Sequence, residues 1–311
     1  MYWFYKIRWP YRFRWIEGKR LRVRYIAGGW YKIDCFMENL FIKTTKLPKY
    51  GLNKERQRKE RVIVSLTSFP QRMDQTYYAI KSLMIQTEKA DRIILWLAQE
   101  QFPDCKIPEQ FDELIDRGLE IRFTPIDLRS HKKYYYILQE QRPEELVITF
   151  DDDIIYESNA IEKLLLFHEK YPRCIVCNRG ETIQIDGQGN PKPYKQWHVR
   201  SDIGVKEPSM YIVPSTGAGC LYPYGILPES TFDIKNIQRL AFTADDMWMR
   251  FNSIQTGIKV IKTRRDIAIL CNVSDSQKIN LSQINCIEGE NDAVIARLFA
   301  FFPDTLKRLK A

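Results

Sequence analysis

The sequence predicts an α/β fold in which a mainly parallel sheet carries helices on both faces. The first observation is that short apolar segments alternate with segments whose apolar residues recur at helical spacing. Strands that alternate with helices in this way pair in parallel, because each helix returns the chain to the same end of the sheet. The predicted strands lie at residues 61–70, 91–98, 120–124 and 145–150, and the predicted helices at residues 76–86, 109–117 and 131–141.

The second observation is the composition, which is that of a globular protein with a substantial core. The chain has 311 residues, of which 44% are hydrophobic and 28% are charged, and this balance excludes disordered and collagen-like chains. The formal net charge is +9, but residues 1–60 alone carry 16 basic and 5 acidic side chains. The remainder is nearly neutral, so the basic character belongs to a local extension.

This charge distribution divides the chain into three predicted parts. Residues 1–60 form a basic aromatic N-terminal extension, residues 61–265 form the α/β domain, and residues 266–311 form a C-terminal helical segment that packs on that domain. Seven scattered cysteines, an odd number, favour reduced thiols. No segment is apolar enough to span a bilayer, so we expect the protein in the cytoplasm, with peripheral attachment to the inner face of the membrane as an option.

The N-terminal extension has a pattern of its own. Aromatic and arginine residues alternate through residues 6–25, which predicts a β-hairpin, followed by a short helix near residues 31–42 and a charged linker at residues 54–61. Two roles remain open. Residues 1–31 can dock on an anionic membrane surface, since Trp and Tyr favour interfaces and basic side chains attract anionic lipid. Alternatively, the aromatic face covers apolar surface of the α/β domain.

Three consecutive carboxylates follow the fourth predicted strand directly, at Asp151, Asp152 and Asp153. Parallel sheets bind ligands beyond the carboxyl ends of their strands, and adjacent carboxylates repel one another unless a cation neutralises them. Asp151 and Asp153 point to the same side of an extended segment. Their hard oxygen atoms suit Mn²⁺ or Mg²⁺. A charged turn, or a cap for a helix over residues 157–170, is the alternative.

A second acidic pair, Asp245 and Asp246, precedes a helix predicted at residues 247–253. Asp at a helix start is a common cap. If the pair faces the same cleft as the triplet, however, it can supply a general base opposite a metal site. Between the two acidic motifs, Gly217 and Gly219 lie in a stretch of small residues that either allows close approach of a ligand or forms a tight turn.

Six segments carry a further signal, at residues 64–72, 91–98, 127–133, 149–155, 216–223 and 243–248. In this order they resemble successive motifs of bacterial GT-A-fold glycosyltransferases. The resemblance is narrower to the family-2-related enzymes of capsule and lipopolysaccharide assembly, and it covers residues 61–265. Among the six, the acidic segment reads Thr149-Phe-Asp-Asp-Asp-Ile-Ile155.

The resemblance implies a nucleotide-sugar donor, UDP-linked, and transfer of its sugar to a glycan or lipid-linked glycan acceptor. It places Mn²⁺ or Mg²⁺ on Asp151 and Asp153. It implies that Asp246, with Asp245 as the alternate, is the general base of an inverting reaction. The donor contacts that it implies are Ser65, Thr67, Arg72, Lys132, Lys133 and Asp152, and the acceptor contacts are Gly217, Gly219 and Trp248.

Two other functions remain open from the residues. A sugar nucleotidyltransferase also uses a metal-binding acidic site on an α/β sheet, but it forms a sugar nucleotide instead of consuming one. A nucleic-acid-binding protein could use the basic aromatic extension to stack bases and follow phosphates. The near-neutral remainder of the chain makes nucleic acid the less favoured partner.

Overall fold

A computed structural model describes residues 33–54, 57–197, 201–264, 270–274 and 289–310. The hairpin predicted at residues 6–25 lies outside these residues. The helices are α1 (33–44), α2 (Met73–Met84), α3 (Asp112–Ile115), α4 (Lys132–Glu140), α5 (Ala160–Lys170), α6 (Ile234–Leu240), α7 (Asp245–Gln255), α8 (Glu290–Phe301) and α9 (Thr305–Leu309). The strands are β1 (Arg61–Thr67), β2 (Arg92–Ala98), β3 (Leu119–Thr124), β4 (Glu145–Phe150), β5 (Ile154–Ile155), β6 (Ile175–Cys177), β7 (Gly180–Thr182), β8 (Ile212–Pro214), β9 (Ala218–Tyr222), β10 (Val260–Lys262) and β11 (Cys271–Asn272).

The described residues contain a seven-stranded central sheet in the order β10-β6-β9-β4-β1-β2-β3. Strands β1 to β4 pair in parallel, and β10 pairs in parallel with β6. Strand β9 runs antiparallel to both of its neighbours, β4 and β6. The predicted mainly parallel α/β sheet is therefore confirmed, with one reversed strand beside β4.

Helices cover both faces of the sheet, which explains why β1, β2 and β4 are nearly continuous apolar runs. On one face, alternate residues of β1 such as Val62 and Val64 pack with Ile80 of α2. On the other face, Ile63 packs with Ile137 of α4. The β1 side chains therefore have apolar partners on both sides, and the carboxyl ends of the parallel strands remain as the polar edge.

The structure differs from the sequence predictions in two features. Helix α7 begins at Asp245, two residues before the predicted start, so both acidic side chains lie in its first turn. The segment after residue 265 was predicted to be helical, but Cys271 and Asn272 form β11, which pairs antiparallel with β5. Within the described residues, no helix has the length and apolar character needed to span a membrane.

Candidate active site

The acidic triplet lies at the polar edge of the sheet, beside a cation supplied by the turn after β1. Arg72 Nη1 lies 3.2 Å from Asp152 Oδ1 and 2.7 Å from Asp153 Oδ2. Burial, together with the charge of Asp151, raises the pKa of Asp153 even though Arg72 opposes the shift. One arginine therefore holds two neighbouring carboxylates without compensating both charges.

The middle carboxylate belongs to a chain of short contacts. Ser68 Oγ lies 2.5 Å from Asp152 Oδ2 and 2.6 Å from Thr76 Oγ1, and Thr76 donates to the Arg72 carbonyl at 2.8 Å. Ser68 is the donor to Asp152, so the carboxylate, the two hydroxyls and the Arg72 carbonyl form one continuous series of contacts. Burial, with Asp153 close by, raises the pKa of Asp152 to about 7. Asp152 thus ties the end of β1 to the triplet.

A buried lysine joins the two acidic motifs. Lys133 Nζ, from the start of α4, lies 2.7 Å from Asp151 Oδ1 and 3.0 Å from Asp245 Oδ2. Thr216 Oγ1 also donates to Asp245 Oδ2, at 2.7 Å. Burial alone would lower the pKa of Lys133, but Asp151 and Asp245 raise it well above its usual value. In return, Lys133 holds the pKa of Asp245 well below its usual range in spite of burial.

Asp246 is the next residue, but its setting differs from that of Asp245. Its Oδ1 accepts a hydrogen bond from the Met247 backbone N–H at 2.7 Å. Burial, followed by the negative charge of Asp245, raises the pKa of Asp246 to about 7. A carboxylate with that pKa can accept and release a proton near neutral pH, as a general base must.

Close backbone packing holds Asp151 against the loop before β9. A Cβ built on Gly217 would lie 1.6 Å from Asp151 Oδ2, so glycine is the residue that this contact permits. The Tyr156 hydroxyl donates to the Gly217 carbonyl at 2.7 Å and accepts from the Asp151 backbone N–H at 2.8 Å. Gly217 therefore supports a triplet carboxylate in this structure.

The remaining residues predicted on the donor side bond to groups outside the two acidic motifs. Ser65 is fully buried and donates to the Lys133 carbonyl at 2.5 Å, and Thr67 donates to the Trp96 carbonyl at 2.8 Å. The Lys132 ammonium pairs with Asp127, and the negative charge of Asp152 also acts on it. Ser65 has no exposed surface that a ligand contact would require.

The two other residues predicted to contact the acceptor, Trp248 and Gly219, are closely packed inside the protein. Trp248 is fully buried, and its Nε1 donates to the Thr231 carbonyl at 2.7 Å. Gly219 lies in β9 with φ +98°, and a Cβ there would lie 2.8 Å from Phe150 Cε1. The structure places Trp248 in the core, without surface for an acceptor, because α7 turns this face towards the hydrophobic interior.

The chain matches no protein-family model and no curated protein. Among solved structures, it is similar to the mannosyltransferase PcManGT from Pyrobaculum calidifontis in complex with GDP-Man and Mn²⁺. The sequence identity is 10%, the similarity covers 91% of this chain and 77% of that chain, and the TM-score is 0.51. The two chains share one fold. The predicted GT-A class is thereby confirmed.

A second similar structure is S. aureus TarS 1–349 in complex with UDP. Its sequence identity is 12%, the similarity covers 66% of this chain and 58% of that chain, and the TM-score is 0.38. A TM-score this low does not establish a shared fold, so the fold assignment rests on the similarity to PcManGT.

The chemistry of the acidic site fits a divalent cation. Its five carboxylates, at 151–153 and 245–246, face two cations in contact with them, Arg72 and Lys133, so negative charge is in excess when all five are ionised. The described residues contain no group of three or more His, Cys, Asp or Glu side chains at metal-binding geometry. Mg²⁺ is commonly held by one or two carboxylates together with substrate phosphates, and a pair of carboxylates meets that requirement.

Several residues that organise the site were not predicted individually, although Ser68 ends the stretch 65–68 that the resemblance places beside the base and ribose. Ser68 and Thr216 lie within segments that resemble glycosyltransferase motifs, so their position was a usable signal. Tyr156 carried no such signal, since its hydroxyl acts on backbone atoms that only the fold brings near. His131 is fully buried, with its ring nitrogens 2.9 Å from the Tyr134 hydroxyl and the Ala241 carbonyl.

Proposed function

We propose that this protein is a glycosyltransferase that moves a sugar from a nucleotide-sugar donor to a hydroxyl group of a glycan or lipid-linked glycan. The observation that carries the proposal is the Lys133 bridge between Asp151 and Asp245. It brings an acidic group suited to the donor and an acidic group suited to the acceptor to one edge of a GT-A sheet. Glycosyl transfer needs these two chemistries on opposite sides of one carbon atom.

On the donor side, Asp151 and Asp153 would hold Mn²⁺ or Mg²⁺ together with the donor diphosphate. The bound ion supplies positive charge that stabilises the departing nucleoside diphosphate. Arg72 already contacts Asp153 and can also donate to a phosphate oxygen, as arginine commonly does. Asp152 would fix the loop after β1 through Ser68 instead of contacting the donor itself.

On the acceptor side, Asp246 is the better general base of the two adjacent carboxylates. Its pKa of about 7 matches proton removal from an acceptor hydroxyl near neutral pH. Asp245 is committed to Lys133 and Thr216, and its lowered pKa makes it a weak base. This division of roles supports direct attack by the acceptor, and therefore inversion at the anomeric carbon.

Narrower features of the proposal rest on the sequence resemblance. We propose a UDP-linked donor and a role in bacterial capsule or lipopolysaccharide assembly. We also propose that residues 1–31 attach the enzyme to an anionic membrane surface, where a lipid-linked acceptor would lie. Flotation of the full chain with anionic and neutral vesicles tests the attachment, and equal recovery with both would contradict it.

The direct test is a thermal-shift panel of UDP- and GDP-linked sugars, each with and without Mn²⁺. We expect one nucleotide sugar to raise Tm with Mn²⁺ and to raise it much less without the ion. Product analysis with that donor should then show released nucleoside diphosphate. No stabilisation by any nucleotide sugar would contradict the proposal. Pyrophosphate release from a nucleoside triphosphate and a sugar phosphate would instead identify a nucleotidyltransferase.

A further inference from the structure

Two cysteines that are far apart in the sequence meet beside the candidate active site. Cys35 lies in α1 and Cys271 in β11, a separation of 236 residues, and their Sγ atoms are 2.7 Å apart. A disulfide bond has an S–S length of about 2.05 Å, so the two sulfur atoms need to approach by only about 0.7 Å. Side-chain rotation can supply that movement.

The surroundings of the two sulfurs keep them together. Cys271 is buried with Ile42, Ile155 and Val273, and partly buried Cys35 packs against the same cluster. A second contact fixes the same two segments, since Asn39 Nδ2 donates to the Asn272 carbonyl at 3.0 Å. Asn39 Oδ1 in turn accepts from the backbone N–H of Ser274 at 2.8 Å. The proximity of the thiols is therefore part of a docked interface.

We propose that Cys35 and Cys271 form a reversible disulfide cross-link in the presence of a low-molecular-weight disulfide such as glutathione disulfide. The Cys35 thiolate, the more accessible of the two, attacks one sulfur of the reagent and releases one glutathione thiolate. The Cys271 thiolate then attacks Cys35 Sγ, forms the protein S–S bond and releases the second glutathione. Two protein thiols are oxidised, one disulfide reagent is reduced, and the two protons pass to the two glutathione thiolates.

The cross-link joins α1, which lies within the N-terminal extension of residues 1–60, to the active-site edge. Strand β11 pairs with β5, and the Val273 backbone N–H donates to the Asp153 carbonyl at 2.8 Å. A covalent bond at Cys271 thus fixes α1 to the segment whose Val273 N–H bonds the backbone carbonyl of Asp153, the last residue of the triplet. The proposal does not depend on which reaction the site catalyses.

The test uses the full chain, reduced and then equilibrated with glutathione disulfide, blocked with N-ethylmaleimide and digested with trypsin. Cleavage at lysine and arginine places Cys35 in the peptide 33–43 and Cys271 in the peptide 266–278. We expect mass spectrometry to find these two peptides joined and to find them separate after dithiothreitol. Recovery of both peptides as glutathione or maleimide adducts only would overturn the proposal.

A second measurement separates a specific cross-link from general thiol oxidation. Because the bond closes a loop of more than 200 residues, oxidation should raise Tm by about 5 °C or more. Cys35→Ser should abolish the joined peptide and the shift, whereas Cys105→Ser, which removes an exposed thiol, should preserve both. An equal Tm shift in the Cys35→Ser variant would also overturn the proposal.

Discussion

The acidic triplet after β4 and the acidic pair at the start of α7 are built from the same side chain in different electrostatic settings. In the triplet, burial raises the pKa of Asp152 and Asp153, although Arg72 contacts both. In the pair, Lys133 lowers the pKa of Asp245, while its neighbour Asp246 keeps a raised pKa. The protonation of each carboxylate therefore depends on which buried cation touches it, and a run of aspartates in the sequence does not specify this.

We expect the largest effect from substitutions that test whether the acidic pair and the acidic triplet have different functions. Asp246→Asn keeps the size of the side chain and removes its basicity, so we expect kcat to fall by about 10²- to 10⁴-fold with donor binding unchanged. Asp153→Asn should instead weaken Mn²⁺-dependent donor binding. Turnover and donor titration of both variants check this contrast, and equal loss of donor binding in the two would remove the proposed division of roles.

The pH dependence sharpens the same contrast. Since Asp246 acts in its deprotonated form and its pKa is about 7, kcat/KM should fall as the pH decreases below about 7 and level off above it. The residual activity of Asp246→Asn should lack this step. Retention of an unchanged acidic limb in that variant would assign the titration to another group.

The next largest effect concerns the bridge between the motifs. Lys133→Met leaves the carboxylates of Asp151 and Asp245 without their shared cation, and removing one partner of a buried ion pair costs about 3 kcal/mol or more. We expect the free energy of unfolding, measured by urea denaturation, to fall by that amount. The exposed ion pair of Lys106 with Asp104 offers a matched control, because Lys106→Met should change it little.

A double-mutant cycle tests whether the loss arises from the bridge itself. Adding Asp245→Asn to Lys133→Met removes the buried charge that the first change left unpaired, so it should restore part of the lost stability. Strict additivity of the two changes would mean that Lys133 stabilises the fold by packing and not by joining the motifs.

The neutral histidine beside the acidic pair gives a stability prediction with a definite sign. Burial lowers the pKa of His131 from 6.5 to about 4, so the unfolded chain binds a proton at a pH where the folded protein does not. Stability from this group is complete above pH 6.5 and is lost as the pH falls towards 4. The shift corresponds to about 3 kcal/mol.

Carboxylates with a raised pKa change the stability in the opposite direction with pH. The contribution of His131 is therefore measured against a variant that lacks the histidine. Asp152 and Asp246 stabilise the fold below their unfolded pKa and lose that effect as the pH rises towards 7. Denaturation of the wild type and of His131→Gln at pH 7.5 and pH 4 isolates the histidine. We expect the free energy of unfolding of the wild type, relative to that of His131→Gln, to be about 3 kcal/mol lower at pH 4 than at pH 7.5. The same relative value at both pH values would contradict the lowered pKa of His131.

A smaller effect tests the contact that holds the triplet. Gly217→Ala places a Cβ against Asp151 Oδ2, so the carboxylate or the loop must move, at a cost of about 2 kcal/mol. Donor binding should weaken as well. Gly187→Ala is the matched control, since a Cβ there meets no atom within 4 Å. Equal effects of the two substitutions would show that the Gly217 contact does not position Asp151.

The part of the fold that the sequence predicted is the part whose signals are local. Strands β1, β2 and β4 are largely buried on both faces and have mainly apolar sequences, and the triplet directly follows β4. By contrast, the two-residue strand β11 forms because β5 offers it a partner. A strand that short has no periodicity of its own, so it was predicted as part of a helical segment.

The candidate site divides in the same way. The triplet was visible because three consecutive carboxylates directly follow an apolar strand, and the pair was visible because it lies in a segment that resembles a glycosyltransferase motif. The partners of Lys133 were not visible, since Asp151 and Asp245 are 94 positions apart and neither lies near the lysine in sequence. Trp248 was predicted to contact the acceptor, but its ring is buried in the core. The position of an aromatic residue next to an acidic motif does not indicate which way its ring faces.

The smallest predicted effect distinguishes hydrogen bonding from steric support at Asp151. Tyr156→Phe keeps the ring that packs edge-on against Phe150 at 4.4 Å and removes the hydroxyl that joins the backbones of Asp151 and Gly217. We expect the free energy of unfolding to fall by about 1 kcal/mol, and donor binding to weaken less than in Gly217→Ala. Because the contacts of this hydroxyl are with Asp151 and Gly217, the step near pH 7 assigned to Asp246 should keep its position. A shift of that step in the Tyr156→Phe variant would show that the two acidic motifs are coupled through more than Lys133.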